Sequence, residues 1–193
     1  MLLIGGKVTP QRILEAYAKG IFPWYSEEEL PLWWSPDPRF VLFPDELHVS
    51  RSMQKLLAKQ TFEFRMDTAF ASVIQYCSTI ERPGQDGTWL TPEMKEAYTT
   101  LFHQGYAHSA EAWADGELVG GMYGIRLGRV FFGESMFSRK SNASKFAFIN
   151  FVSHLKSQGV ALFDCQVYTS HVETLGARLI SREHFLHLLN NLV

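Results

Sequence analysis

YAHSAEAWADGELVGGMYGIRLGRVFFGESMF, residues 106–137, is the stretch that decides how this chain folds. Three strand-like runs, at 106–113, 117–126 and 129–137, are separated by Asp115-Gly116 and Leu127-Gly128. Asp-Gly suits a two-residue hairpin, because both central residues of that turn need positive φ. Runs of this length and punctuation predict an antiparallel meander of three strands.

Working outward, the meander is followed by a predicted helix over 143–158 closed by Gly159, then a buried strand over 161–167. A short helix ending at Gly176, a short strand and a last helix capped by Ser181 complete the chain. Upstream, Thr9-Pro10 opens a helix carrying Ile13, Leu14, Tyr17 and Ala18, and Gly20 stops it. Residues 39–43 read as a strand, and Ser50 caps a helix to about residue 60. Phe62, Phe64 and Met66 alternate as a strand, and Asp67 is the expected cap of a helix carrying Phe70, Val73, Ile74 and Cys77. Residues 81–88 read as a loop, and Thr91-Pro92 opens another helix. Pro36 and Pro38 forbid regular helix between them, which places a junction there. The expected division is a small N-terminal domain, 1–37, and a catalytic domain, 38–193. Three antiparallel strands followed by helix, strand, short helix and strand make an α+β order. It resembles the GNAT-like acyltransferase core, a likeness that by itself names no substrate.

With 193 residues, 46% of them hydrophobic, the chain is long enough for one full core plus a small appendage. No apolar run approaches the roughly 20 residues of a membrane span. Met1-Leu2-Leu3-Ile4-Gly5-Gly6 has neither the basic region nor the apolar core of a secretion signal. The two cysteines, Cys77 and Cys165, form no C-x-x-C and no four-ligand zinc set, so both read as small core residues of a cytoplasmic protein. Aromatic residues are abundant (15 Phe, 7 Tyr, 5 Trp), more than the core obviously requires. Net charge is −2, so a nucleic-acid partner would have to be held by a local basic patch.

Several residues stand out chemically. Alternation along 161–167 puts Phe163, Cys165 and Val167 on one face, and Leu162, Asp164, Gln166 and Tyr168 on the other. Asp164 and Gln166 are therefore either a core polar pair satisfied by backbone or the polar centre of a site. Glu134, which alternation places with Phe132 and Met136, is either solvated or a site group, and its apolar companions favour the site. Arg51, Lys55 and Lys59 line one helix face; such a stripe is ordinarily solvated surface and is otherwise an RNA contact. Arg139, Lys140 and Lys145 surround the start of the 143–158 helix, where amide donors and cations would coincide on a phosphate. Trp24 and Trp89 belong to the core or wall a pocket, and His108 reads as a core or rim histidine. No metal-ligand spacing, nucleophile elbow or glycine-rich phosphate loop is present.

A set of ordered motifs then carries a resemblance. They are Gly20-Ile21-Phe22-Pro23-Trp24, Trp33-Trp34-Ser35-Pro36-Asp37-Pro38-Arg39, Gly87-Thr88-Trp89 and Leu118-Val119-Gly120-Gly121-Met122-Tyr123-Gly124. Gly133-Glu134-Ser135-Met136-Phe137-Ser138-Arg139, Asn142-Ala143-Ser144-Lys145 and Asp164-Cys165-Gln166-Val167 follow. From about residue 3 to residue 189 the chain resembles the leucyl/phenylalanyl-tRNA–protein transferase family, without the N-terminal lead-in and C-terminal tail of longer members. It also lacks the N-terminal cysteine cluster of arginyl-transferase relatives.

The resemblance implies transfer of Leu or Phe, and less readily Met, from aminoacyl-tRNA to proteins beginning with Arg or Lys, which creates an N-terminal degradation signal. It implies no cofactor and no metal, and the expected state is a monomer. Carried over by position, Met122, Phe148, Phe151 and Phe163 would form the aminoacyl pocket. Trp24, Trp89 and Tyr98 would surround the 3′ adenosine, and Glu134, Asp164 and Gln166 would be the polar centre. Ester aminolysis needs a neutral amine, a positioned ester and stabilisation of the tetrahedral centre. The expected roles are Asp164 on the amine, Gln166 orienting the reacting groups, and Glu134 binding an ammonium or the acceptor's basic side chain. Proton transfer through the tRNA's own ribose hydroxyl is the alternative route. An acyl-CoA acetyltransferase is the nearest rival, but Ser138-Arg139-Lys140-Ser141-Asn142 lacks the glycines of a pyrophosphate loop. A non-catalytic RNA- or degron-binding module is the second rival.

Overall fold

The computed structural model describes residues 1–80 and 89–193; the loop expected at 81–88 lies outside the described residues. The N-terminal segment forms a small antiparallel sheet from β1 (Leu3–Ile4), β2 (Phe22–Pro23) and β3 (Leu32–Trp34), with β3 in the middle. Helix α1 (Pro10–Tyr17) starts where the sequence places it: Thr9 Oγ1 accepts from the Arg12 amide, Pro10 follows, and Gly20 takes φ +70. The tiny strands have no alternation to read, and sequence reasoning did not foresee them.

The remaining elements are β4 (Arg39–Leu42), α2 (Arg51–Ala58), β5 (Glu63–Met66), α3 (Phe70–Thr79) and α4 (Pro92–His103). They continue with β6 (Ala107–Ala114), β7 (Glu117–Leu127), β8 (Val130–Ser138), α5 (Ala143–Ser157) and β9 (Leu162–Gln166). α6 (Ser170–Glu173), β10 (Arg178–Ile180) and α7 (Arg182–Leu192) complete the described chain. Among the described residues, the main sheet runs β10-β4-β9-β8-β7-β6-β5 and is antiparallel except for the β8–β9 pair. Asp115 and Gly116, at φ +55 and +78, make the hairpin between β6 and β7. This is the expected α+β, GNAT-like arrangement: a meander, a crossover helix, and a parallel strand added beside the meander's last strand.

Each face of the sheet buries a separate cluster. One holds α1, α3, α4 and α7 through Tyr17, Ile74, Leu101 and Phe185, and it includes Phe22 and Trp33 of the N-terminal sheet. The other holds α5 through Phe146, Phe148, Phe151 and Val152, with Met53 of α2. Neither cysteine forms a disulfide; Cys77 is buried and Cys165 half-buried. No helix among the described residues is long and apolar enough to cross a membrane.

One capping expectation is corrected. Asp67 does not cap α3; at φ +57 it accepts from the Ser109 amide and contacts His108 Nδ1 at 2.9 Å, which leaves His108 at the rim. The amides of Thr68 and Ala69 are taken instead by the buried Glu111 of β6, at 3.0 and 2.8 Å. A carboxylate more than 40 residues away does the work that local spacing assigned to a neighbour.

Candidate active site

β8 and β9 pair in parallel only as far as Phe132 opposite Asp164. Each then carries an irregularity. Tyr123 faces Ser135 and Gly124 faces Gly133, which leaves Glu134 as an extra residue in β8. Phe40 faces Gln166 and Val41 faces Asp164, which leaves Cys165 extra in β9. Bulges bend strands and re-aim side chains. Where the two strands part, a cavity of roughly 450 Å³ opens, walled by residues 133–138 of β8 and 165–167 at the end of β9. Gly133 permits the tight approach at its base, since a Cβ there would lie 2.7 Å from the Phe163 ring.

The bulge at Glu134 overturns the strand alternation expected there. Phe132 belongs to the cluster on the α7 face and Met136 packs against the α5 cluster, so the two do not share a side. Glu134 is half-buried and turns towards two buried tyrosines. Tyr17 Oη donates to its Oε1 at 2.7 Å, Tyr98 Oη to its Oε2 at 2.9 Å, and Gln166 Nε2 to Oε1 at 3.2 Å. The tyrosine oxygens are also 3.0 Å apart. Each tyrosine has one proton, so an ionised Glu134 leaves two protons for three oxygen–oxygen contacts. A protonated Glu134 supplies the third and closes the ring. Burial accordingly pushes the Glu134 carboxyl up to about 7, against the opposing pull of its three hydrogen bonds, and the Asp164 charge adds to the rise. Tyr17 and Tyr98 are raised well above their usual range, chiefly by burial and then by the Glu134 charge, so both remain protonated at neutral pH.

Asp164 occupies a different position from the one expected of it. Its Oδ1 and Oδ2 accept from Arg39 Nε and a terminal guanidinium nitrogen at 2.8 and 2.6 Å, and both residues are fully buried. Oδ1 also accepts from the Gln166 amide at 2.9 Å, where Gln166 adopts φ +64. Asp164 is absent from the cavity wall, so assigning it to the attacking amine does not fit this geometry. It fixes the strained backbone of Gln166, whose side chain reaches Glu134. Alternation along β9 holds as far as that residue. Val167 then packs on the α7 face rather than with Phe163 and Cys165, because the left-handed turn at Gln166 redirects the chain.

Of the other expected residues, Trp24, Trp89, Met122, Phe148 and Phe163 line the cavity. Trp24 is 42% exposed at its mouth, with its carbonyl held by Trp34 Nε1 at 2.8 Å. Tyr98 has no exposed surface and belongs to the Glu134 ring, so it presents no face to an adenine. Phe151 is not in the wall. It stands behind it, against Phe131, which packs on Phe163, with ring centroids 4.9 and 5.0 Å apart.

Arg51, Lys55 and Lys59 are exposed along α2 and its C-terminus. The second basic cluster is more engaged. Arg139 lies over the Tyr76 ring and donates to its hydroxyl, Lys140 is 3.6 Å from Asp115, and Lys145 Nζ donates to Thr174 Oγ1. At the start of α5 the amides of Ala143 and Ser144 are already used by Lys140 O and Ser138 Oγ. The expected coincidence of free amides with cations on a phosphate is therefore corrected at those two positions.

Sequence reasoning missed Arg39 and Tyr17. An arginine opening the strand Arg39-Phe40-Val41-Leu42 was the available signal, since a cation there must find a buried partner. Tyr17 gave none, because helical spacing makes it look like core.

Against known proteins, the family model described as leucyl/phenylalanyl-tRNA protein transferase matches residues 41–190, and the model of its N-terminal domain matches residues 6–37. A leucyl/phenylalanyl-tRNA–protein transferase of Chromobacterium violaceum is 56% identical over 98% of this chain and 81% of its own. One from Syntrophus aciditrophicus is 58% identical over 98% and 79%. Among solved structures, the likeness to L-PGS from Bacillus licheniformis is looser, with a TM-score of 0.47 and 18% identity over 71% of this chain and 48% of that one.

Proposed function

The chain belongs to the leucyl/phenylalanyl-tRNA–protein transferase family, and from that premise we propose a reading of its cavity. The protein moves Leu or Phe, and Met less readily, from aminoacyl-tRNA to the N-terminal Arg or Lys of an acceptor protein, whose new first residue serves as a degradation signal. The observation that carries the site assignment is a single cavity whose apolar wall, Met122, Phe148 and Phe163, also holds Glu134, a carboxyl poised near neutrality.

In this reading a neutral α-amine attacks the ester carbonyl. The C–N bond forms, the bond from carbonyl carbon to ribose oxygen breaks, and Glu134 takes the proton from nitrogen and passes it to the departing ribose oxygen. A free α-amine has a pKa of about 8, so a base near 7 is suitably matched. Gln166 orients Glu134, while Arg39 and Asp164 hold Gln166 in place. Trp24 and Trp89 flank the terminal adenosine. The protein works as a monomer in the cytoplasm, and residues 1–37 form the unit that brings Trp24 and Tyr17 to the site. The test is incubation with labelled Phe-tRNA and an Arg-initiated protein. Label in acid-insoluble protein after tRNA hydrolysis is expected, and its absence would refute the function.

Donor selectivity follows from the wall. Each buried methylene is worth about 0.8 kcal/mol, which favours Leu and Phe, while branching at Cβ makes Ile and Val too wide at the entry. Phe148→Ala is expected to lower kcat/KM for Leu- and Phe-tRNA at least about 10-fold. Phe151→Ala, one ring further back, should act mainly on stability, by about 3–5 kcal/mol. Steady-state kinetics and denaturant melts of both variants check this ordering.

In this reading Arg51, Lys55 and Lys59 contact tRNA phosphates. Replacing all three by Ala should weaken binding of different tRNAs alike and reduce the slope of log K against log salt by about 2–3. Filter binding across a salt series reads this slope, and an unchanged value would make the stripe plain surface.

A further inference from the structure

Residues 133–138 of β8 line the cavity without a gap. Beyond the bulge, side chains alternate between the two faces of the sheet, so an unbroken run means that the strand is turned edge-on to the cavity. The register says which groups that edge presents. In an antiparallel ladder, opposite residues alternate between exchanging both hydrogen bonds and exchanging none. The Arg139 amide donates to Val119 O at 2.7 Å, which makes that pair a bonded one. Phe137–Gly121 and Ser135–Tyr123 are then bonded, while Ser138–Gly120 and Met136–Met122 are not. On the other side of β7 the Arg126 amide donates to Tyr106 O at 2.8 Å, and the same alternation turns Gly120 and Met122 towards β6. The two ladders agree. The main-chain N–H and C=O of Met136 and Ser138 point away from β7, to the side that β9 leaves beyond the Phe132–Asp164 pair. Among the described residues, no strand lies there to take them.

A row of unpaired amides and carbonyls is a template for another strand. The transfer step described above makes no use of it. An acceptor chosen by its first residue alone offers nothing constant beyond that residue except amides and carbonyls, and a strand edge binds these whatever the sequence. The donor's apolar side chain is served instead by the wall of Met122, Phe148 and Phe163. We propose that the acceptor's main chain, just beyond its first residue, adds to the free edge of β8 as a short extra strand, bonded at Met136 and Ser138. This rests on reading the protein as a transferase that acts on protein N-termini.

Backbone-ester peptides test it on the full, unaltered chain. In an Arg-initiated peptide, one amide N–H at a time, at residue 2, 3 or 4, is replaced by an ester oxygen, and kcat/KM for the peptide is measured with saturating Phe-tRNA. An added strand turns every second residue to its neighbour, so the losses should alternate. Residues 2 and 4, or residue 3 alone, should lose about 5- to 10-fold, the worth of one hydrogen bond, and the intervening positions should stay within about 2-fold. Esters that all cost the same, or that cost nothing, overturn the proposal. Met136→Pro ties the effect to β8, since it removes the N–H facing the cavity and takes no bond from β7. Relative to Met136→Leu, which keeps that N–H, it should lower kcat/KM for the all-amide peptide about 5- to 10-fold. A folded Met136→Pro protein equal to Met136→Leu would put the acceptor on another edge and likewise overturn the proposal, whereas the ester series on wild type does not depend on that variant folding. A wild type that transfers nothing to the all-amide peptide would instead sink the reading of the protein as a transferase, and the proposal with it.

Discussion

Arg39→Met is expected to destabilise the protein by about 3–5 kcal/mol, because it strands a carboxylate in the interior. Arg39 has no exposed surface, and its fork occupies both Asp164 oxygens while another nitrogen donates to the Gly20 carbonyl at 3.2 Å. Its guanidinium lies 4.8 Å from the Phe22 ring centre and 4.5 Å from that of Phe185. One side chain thus joins the N-terminal segment, β4, β9 and α7. The paired variant Arg39→Met/Asp164→Leu removes both charges together and should recover much of the loss, since neither desolvated ion then lacks its partner. It should nevertheless remain impaired in transfer, because the Gln166 amide has lost its acceptor. Urea melts compare the variants. A double variant no more stable than Arg39→Met would show that the cost lies in packing rather than in the ion pair.

Glu134→Gln should lower kcat about 10²- to 10⁴-fold, the usual contribution of a positioned base. It should also stabilise the fold at alkaline pH. A carboxyl whose folded pKa is raised to about 7 binds its proton more tightly in the native state than in the unfolded chain, where it lies near 4.5. The associated stability is fully present below about 4.5 and is lost as pH rises through 7. At pH 8 the wild type therefore carries a cost of about 3 kcal/mol that the amide avoids. Thermal melts of the two proteins should converge at pH 4 to 5 and separate towards pH 8. A gap that does not change with pH would place the Glu134 carboxyl elsewhere on the titration scale.

The meander was legible because its signals are local. Asp115-Gly116 fixes one turn and Leu127-Gly128 marks the next, so the boundaries of the three strands, eight to eleven residues long, have little room to move. Gln166 and Glu134 were legible as chemistry, since polar groups in apolar strands demand partners. The orientation of Glu134 was not. It is the extra residue of a bulge, where the register shifts and the period of two no longer tells which way a side chain points. The Arg39–Asp164 pair spans 125 residues, and no local pattern encodes such a contact. Tyr98 shows the same limit. The resemblance implies a place beside the adenosine, yet whether its hydroxyl meets an adenosine or a carboxylate depends on how α1 and β8 arrive beside it.

Whether the attacking amine gives its proton to Glu134 is read directly by the pH dependence of kcat/KM. With Phe-tRNA as donor and an Arg-initiated peptide as acceptor, two groups must be deprotonated: the amine near 8 and Glu134 at about 7. Log kcat/KM for wild type should rise with slope two below pH 7, slope one between 7 and 8, and level off above. In Glu134→Gln only the amine remains, so a single limb of slope one should run down through pH 6. A wild-type profile that already has slope one below pH 7, superimposable in shape on that of Glu134→Gln, would contradict the account.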